Sequence, residues 1–253
     1  MATPPVDAAP FDLLAIAAHP DDAELGCGGA LAQAAGTGAR VAVIDLTLGE
    51  RASRGTPALR RAERDAASAI LGLGGRFDLH LPDAAITALP EPREQLAALL
   101  RRLRPKVVLA PYWEDRHPDH AAAGRLAREA CFAAGLRGAD AAPPFRPERV
   151  FHYMLHHPFE PSFVLDISAQ WERKQAAIRA YASQFGHGEG VATALSGPGF
   201  LRMIEARAIH YGSMIGVPHG EPFRAPGPLA ATVVPGLDVP HRAPGELPPY
   251  AMS

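Results

Sequence analysis

Cysteine is scarce in this chain. Its two thiols, Cys27 and Cys131, stand far apart and form no CxxC or zinc-finger spacing. That excludes a disulfide framework and a thiolate metal site, and it leaves two small packed residues in a protein whose simplest compartment is the reduced cytoplasm. A surplus of either charge is also missing. Lys+Arg number 25 against 27 Asp+Glu, with the basic residues scattered rather than gathered into a stripe, which excludes nucleic acid as the main partner. No apolar run approaches the ~20 residues that span a bilayer, and Met1 to Asp12 has no basic segment followed by an apolar one. The expectation is an unexported protein with no membrane partner. The glycines of Gly26-Cys27-Gly28-Gly29 lack the GxGxxG spacing of a dinucleotide loop, and the polar residues precede them, which argues against a nucleotide site. There is no internal repeat.

What is present is an α/β rhythm. Apolar runs at Leu13 to Ala17, Val41 to Leu46, around Leu79 and at Lys106 to Ala110 read as strands. Helices alternate with them, at Glu24 to Ala35, from Thr56-Pro57 to Leu71, and from about Pro92 to Leu103. Thr suits an N-cap and Pro the first helical position. Gly26, Gly28 and Gly29 let the first helix approach the sheet closely. The expected fold is a single α/β domain with a mostly parallel sheet and helices on both faces. Further on, a helix to about Cys131, strands at Arg149 to Leu155 and Phe163 to Ile167, a helix capped by Ser168, and one over Leu201 to Tyr211 follow. Prolines from Pro218 onward argue against regular helix or a central strand. The domain is expected to span 1–223, with 224–253 a Pro-rich tail on the surface, partly disordered.

Two polar clusters emerge directly after strand-like runs. The first is His19-Pro20-Asp21-Asp22-Ala23-Glu24, the second Trp113-Glu114-Asp115-Arg116-His117-Pro118-Asp119-His120. Strand ends are where α/β proteins place their chemistry. Residues three apart on a helically curved turn share a side, so His19 converges with Asp22 while Asp21 points elsewhere, and His117 neighbours His120. A catalytic zinc takes three protein ligands and leaves a position for water. Four candidates thus compete for three places, the fourth being free for proton or charge work, and Asp21 is placed to act as a base. Each cluster alone also reads as a polar cap or a helix start; together, at two strand ends, they point to a metal. The remaining histidines read as surface or core residues, His156-His157 being the least certain of these.

The blocks AHPDDAELGCGG, DLTLGERASRGT, YWEDRHPDH, PSFVLDIS and AYASQF together resemble the LmbE/PIG-L-like zinc N-deacetylases, and within them the deacetylase of bacillithiol biosynthesis. The resemblance covers approximately residues 11 to 223. It implies a Rossmann-like fold, one zinc per subunit, removal of acetate from an N-acetylglucosamine unit, in this subgroup N-acetylglucosaminyl-malate, and a homo-oligomer, a hexamer in the family. Carried over by motif, it makes His19, Asp22 and His120 the zinc ligands and Asp21 the general base. His117 then stabilises the oxyanion or protonates the leaving amine, and Asp119 holds that imidazole. Arg149 matches a family arginine at the active site, and Arg116 is near enough in sequence to reach it. Arg54 is a candidate for the malate carboxylates, because guanidinium binds carboxylate bidentately. Competing readings are a deacetylase for another sugar (an inositol glycoside or chitin oligosaccharide), a metal scaffold without catalysis, and an iron(II) oxygenase, since two His and one carboxylate also suit iron.

Overall fold

A computed structural model describes residues 9–186 and 191–230. In chain order the elements are β1 (Leu13–Ala17), α1 (Asp22–Gly36), β2 (Val41–Asp45), α2 (Pro57–Leu71), β3 (Gly75–Asp78), α3 (Pro90–Leu103), β4 (Val107–Pro111) and α4 (Pro118–Ala134). They continue as β5 (Arg149–Tyr153), β6 (Phe163–Asp166), α5 (Trp171–Arg179), α6 (Ala182–Phe185), α7 (Pro198–Met214) and β7 (Gly220–Arg224). Strands buried on both faces need apolar residues at every position, and the side-chain period of two divides those residues between two cores. Ala15, Ala17, Val41 and Val43 pack under α1, α2, α5 and α7 through Leu31, Leu71, Ile178 and Ile204. Leu14, Ile16, Ala42, Ile44 and Val108 pack under α3 and α4 through Leu96, Leu100, Leu126 and Ala130. The expected α/β architecture is thus the observed one.

The sheet runs β3-β2-β1-β4-β5-β7-β6. Its first five strands are parallel, while β7 pairs antiparallel with both β5 and β6. β7 corrects the expectation that the prolines after Pro218 preclude a central strand. Pro222 is tolerated because the β5 ladder takes up only Phe223 and Arg224, so proline's missing N–H falls just past its end. Residues 231–253 of the expected tail lie outside the described residues, as do 187–190.

Thr56 caps α2 as expected, its hydroxyl accepting from the Leu59 amide at 3.2 Å with Pro57 in the first turn. Ser168 does not cap a helix. Its hydroxyl donates to Asp166 Oδ1 at 2.6 Å inside a short 3-10 turn, and α5 begins only at Trp171. α1 is broken at Cys27 (φ −141°), and Gly26 and Gly29 sit against neighbours with no room to spare. A Cβ at Gly26 would lie 2.1 Å from the Tyr153 ring, which is anchored by its hydroxyl donating to the Ile16 carbonyl at 2.9 Å. Because the ring cannot retreat, Gly26→Ala should destabilise the fold by ~1–3 kcal/mol, the usual range for overpacking. A denaturant titration showing an unchanged midpoint would contradict this.

Candidate active site

β1 is flanked by β2 on one side and β4 on the other, so the chain leaves β1 and β4 at adjacent positions on one edge of the sheet, where the strand order reverses. A crevice opens at such a switch point. The two polar clusters enter it from these neighbouring strand ends, which brings together residues about a hundred positions apart. The ring centroids of His19 and His117 are 4.9 Å apart, those of His19 and His120 5.4 Å, and His117 stacks on His120 at 4.5 Å. Ring nitrogens of all three lie within 4.8 Å of one another. Asp22 reaches both sides of the group, with Oδ2 3.4 Å from His19 Nδ1 and Oδ1 3.2 Å from His120 Nε2.

Turn geometry explains the division of the His-Pro-Asp-Asp sequence. Asp22 Oδ2 accepts the His19 amide at 2.9 Å, closing the turn and fixing both side chains on one side. Asp21 takes a positive φ of 117°, unusual for a residue with a Cβ, and its carboxylate is sent instead to Arg60 Nη2 at 3.0 Å. Arg60 also donates to the Pro20 carbonyl at 2.8 Å, so one guanidinium holds the turn and the carboxylate together. Glu24 turns into the sheet, pairing with Arg76 at 2.6 Å and accepting from the Tyr181 hydroxyl at 3.2 Å.

The electrostatics ask for a cation. Burial opposes charge on His120, yet the Asp22 carboxylate and hydrogen bonds to Asp115 and Asp22 raise its pKa to about 9. Burial likewise opposes charge on His19, but Asp119, Asp22 and Asp83 hold it well above the ordinary imidazole value. The carboxylates around these rings thus favour positive charge at this spot, which a divalent ion held by neutral imidazoles and Asp22 would supply. The nitrogen and oxygen donors fit zinc chemistry. Burial pushes Asp21 up to about 7, against the pull of Arg60. Burial, with His120 and His19, lowers His117.

The cavity has a volume of about 380 Å³. His19, Asp21, Asp22, His117, His120 and Arg54 line it. Other expectations change. The Asp119 carboxylate does not hold His117; it lies 3.3 Å from His19 Nε2 and accepts from the Ala84 and Ile86 amides, while only the Asp119 main-chain N–H reaches His117 Nδ1. Arg54 donates to the carbonyls of Ser183, Val191 and Gly186, so it braces the cavity wall with its guanidinium already committed. Arg116 is exposed and not on the cavity lining. Arg149 opens β5 at the opposite edge of the parallel sheet, exposed and bonded to the Glu148 carbonyl, because a strand's first residue faces away from the crevice at its carboxyl end.

Several contributors escaped the sequence reading. Asp115 accepts from or pairs with His120 Nδ1 at 3.2 Å and holds the His156 and His157 amides. His156 stacks on His120 at 5.2 Å and lines the cavity. Asp83 lies 3.2 Å from His19 Nε2, and Arg207 donates to the Leu25 and Leu155 carbonyls at the cavity edge. For Asp83 a signal existed: Leu81-Pro82-Asp83 follows β3 as the other clusters follow β1 and β4.

The family described as PIG-L, GlcNAc-PI de-N-acetylase, matches residues 14–131, which contain both histidine-bearing clusters. The diacetylchitobiose deacetylase of Thermococcus kodakarensis is 34% identical over 228 residues, covering 84% of this chain and 82% of that protein. The 4-oxalmesaconate hydratase of Pseudomonas putida is 32% identical over 68% of this chain and 73% of its own. A crystal structure of a conserved protein from Thermus thermophilus superposes with a TM-score of 0.81 at 46% identity, over 92% of this chain and all of that one. With a near full-length relative of this kind and the histidine–carboxylate crevice in place, the chain belongs to the PIG-L family of N-deacetylases.

Proposed function

We propose that the protein is a zinc-dependent amide hydrolase that removes acetate from an N-acetylglucosamine conjugate, N-acetylglucosaminyl-malate before others. The carrying observation is the convergence of His19, Asp22 and His120 beside a buried Asp21. Support for the reaction class comes from deacetylase relatives, and for malate from the sequence blocks that resemble the bacillithiol deacetylase. His19, Asp22 and His120 would hold the ion. When bound, zinc acidifies a water and polarises the acetyl carbonyl.

The remaining steps belong to side chains. Asp21, with a pKa near neutrality, accepts the proton of the attacking water and returns it to the sugar nitrogen as the C–N bond breaks, leaving acetate and a free amine. His117 acts as a neutral donor in this scheme. Its Nδ1 accepts the Asp119 amide, so the ring hydrogen sits on Nε2, free to donate to the developing oxyanion. Arg60 keeps the Asp21 carboxylate in place by its bond at 3.0 Å.

The test is release of acetate and free amine by the zinc-loaded protein from a panel: N-acetylglucosaminyl-malate, an N-acetylglucosaminyl inositol and diacetylchitobiose. Preference for the malate conjugate is expected, and preference for a neutral substrate selects the other sugar classes. His120→Ala should lose metal and turnover together. Stoichiometric zinc in that variant refutes the ligand assignment, and hydration of an unsaturated tricarboxylate with no amine release from any substrate refutes the reaction class, since a hydratase is among the relatives.

A further inference from the structure

His19 presents a different nitrogen to each side. Nδ1 faces Asp22 at 3.4 Å, whereas Nε2 lies 3.2 Å from Asp83 Oδ1 and 3.3 Å from Asp119 Oδ2. Both of these carboxylates are buried, and each is clamped by main chain. Asp119 accepts the amides of Ala84 and Ile86 at 2.8 and 3.2 Å, and Asp83 Oδ2 accepts the amide of Arg51 at 2.8 Å. An ionised carboxylate only accepts, and Nε2 faces two clamped carboxylates at 3.2 and 3.3 Å where Nδ1 faces one at 3.4 Å, which favours the hydrogen on Nε2. In the neutral ring the lone pair is then on Nδ1, turned to Asp22.

Asp83 is tied in the other direction as well. Its own amide donates to Glu50 Oε1 at 2.8 Å, and Glu50 Oε2 accepts the Leu48 amide at 3.3 Å. Two bonds running opposite ways, Arg51 to Asp83 and Asp83 to Glu50, therefore cross-brace the loop after β2 with the loop after β3. The first of these loops supplies Arg51, Ala52 and Ser53 to the cavity wall.

We propose that Asp83 is a positioning residue that, with Asp119, fixes His19 in the tautomer offering Nδ1 to the metal and, through Glu50 and Arg51, joins the substrate-facing loop to the metal centre. The proposal rests on the reading of His19 as a metal ligand. A carboxylate behind a ligating imidazole sets its tautomer and raises its basicity, and losing one weakens metal binding 10–100-fold as a rule.

The test begins with wild-type protein loaded with zinc, in which long-range ¹H–¹⁵N NMR should find His19 protonated at Nε2 and metallated at Nδ1. Competition with a chromophoric chelator should then show zinc affinity reduced about 10–100-fold in Asp83→Ala. Asp83→Asn, which keeps a carbonyl acceptor, should recover part of that loss. Glu50→Ala cuts the brace but spares the carboxylate on His19; it should leave zinc affinity at the wild-type value and raise KM. Wild-type zinc affinity in Asp83→Ala, or a His19 hydrogen on Nδ1, overturns the proposal even when the wild type releases acetate. A wild type that takes up no zinc overturns it together with the functional reading.

Discussion

Asp21→Asn should leave zinc bound and lower kcat by roughly 10²–10⁴, the range for loss of a general base. Asn is close to isosteric with Asp and is among the few side chains that tolerate positive φ, so it can occupy the 117° conformation without disturbing Asp22 or His19. What it removes is the capacity to take a proton. Because burial brings the carboxyl to about 7, the ionised base is lost as pH falls through neutrality, and wild-type kcat should decline there. The Asn variant should lack that limb. Stability should move the opposite way. A carboxyl whose folded pKa is raised above the unfolded value of 3.8 binds more protons when folded, so its contribution is lost as pH rises through about 7. Above that pH the Asn variant should therefore melt at a higher temperature than the wild type. Near-normal turnover with zinc bound would remove Asp21 from the proposed role.

Much of this site is legible from local sequence because parallel topology does the assembling. Once Leu13 to Ala17 and Val107 to Ala110 are read as strands of one sheet, the residues after them must emerge on one edge, and a three-residue spacing pairs His19 with Asp22 and His117 with His120. Partners chosen across the fold are not legible in this way. Asp119 sits two residues from His117, which makes the pair attractive on paper, but α4 places its carboxylate under the loop after β3 and against His19. Arg54 shows the same limit: a guanidinium in a pocket loop suits a substrate carboxylate, and here it is bound to carbonyls more than a hundred residues downstream. Pro222 misleads for a different reason. A proline rule speaks of a missing donor, and only the register with β5 reveals that no ladder bond is required at that point.

That misread segment also holds a residue whose loss should cost the fold heavily. Glu221→Ala should lower the free energy of unfolding by at least about 3–5 kcal/mol, the expected penalty for breaking a buried ion pair alone. In β7 this side chain is 2% exposed, and its carboxylate meets Lys174 Nζ of α5 at 2.6 Å; Lys174 is equally buried. The same carboxylate accepts the amides of Gly29 and Ala30 at 2.7 and 2.8 Å. These amides lie just past the break at Cys27, where the helical ladder is interrupted, and on the near side of the break Arg207 donates to the Leu25 carbonyl at 2.9 Å. Glu221 thus caps the second half of α1, the helix whose first turn carries Asp22. Removing it strands an ammonium in the core and leaves two amides without an acceptor. A second substitution separates these effects: Glu221→Ala with Lys174→Met eliminates the stranded charge and should recover part of the loss, but not the amide component, about 1–3 kcal/mol for each unsatisfied group. Urea titrations of the two variants measure both quantities. A single variant within about 1 kcal/mol of wild type would show that the pair contributes no more than a surface ion pair does.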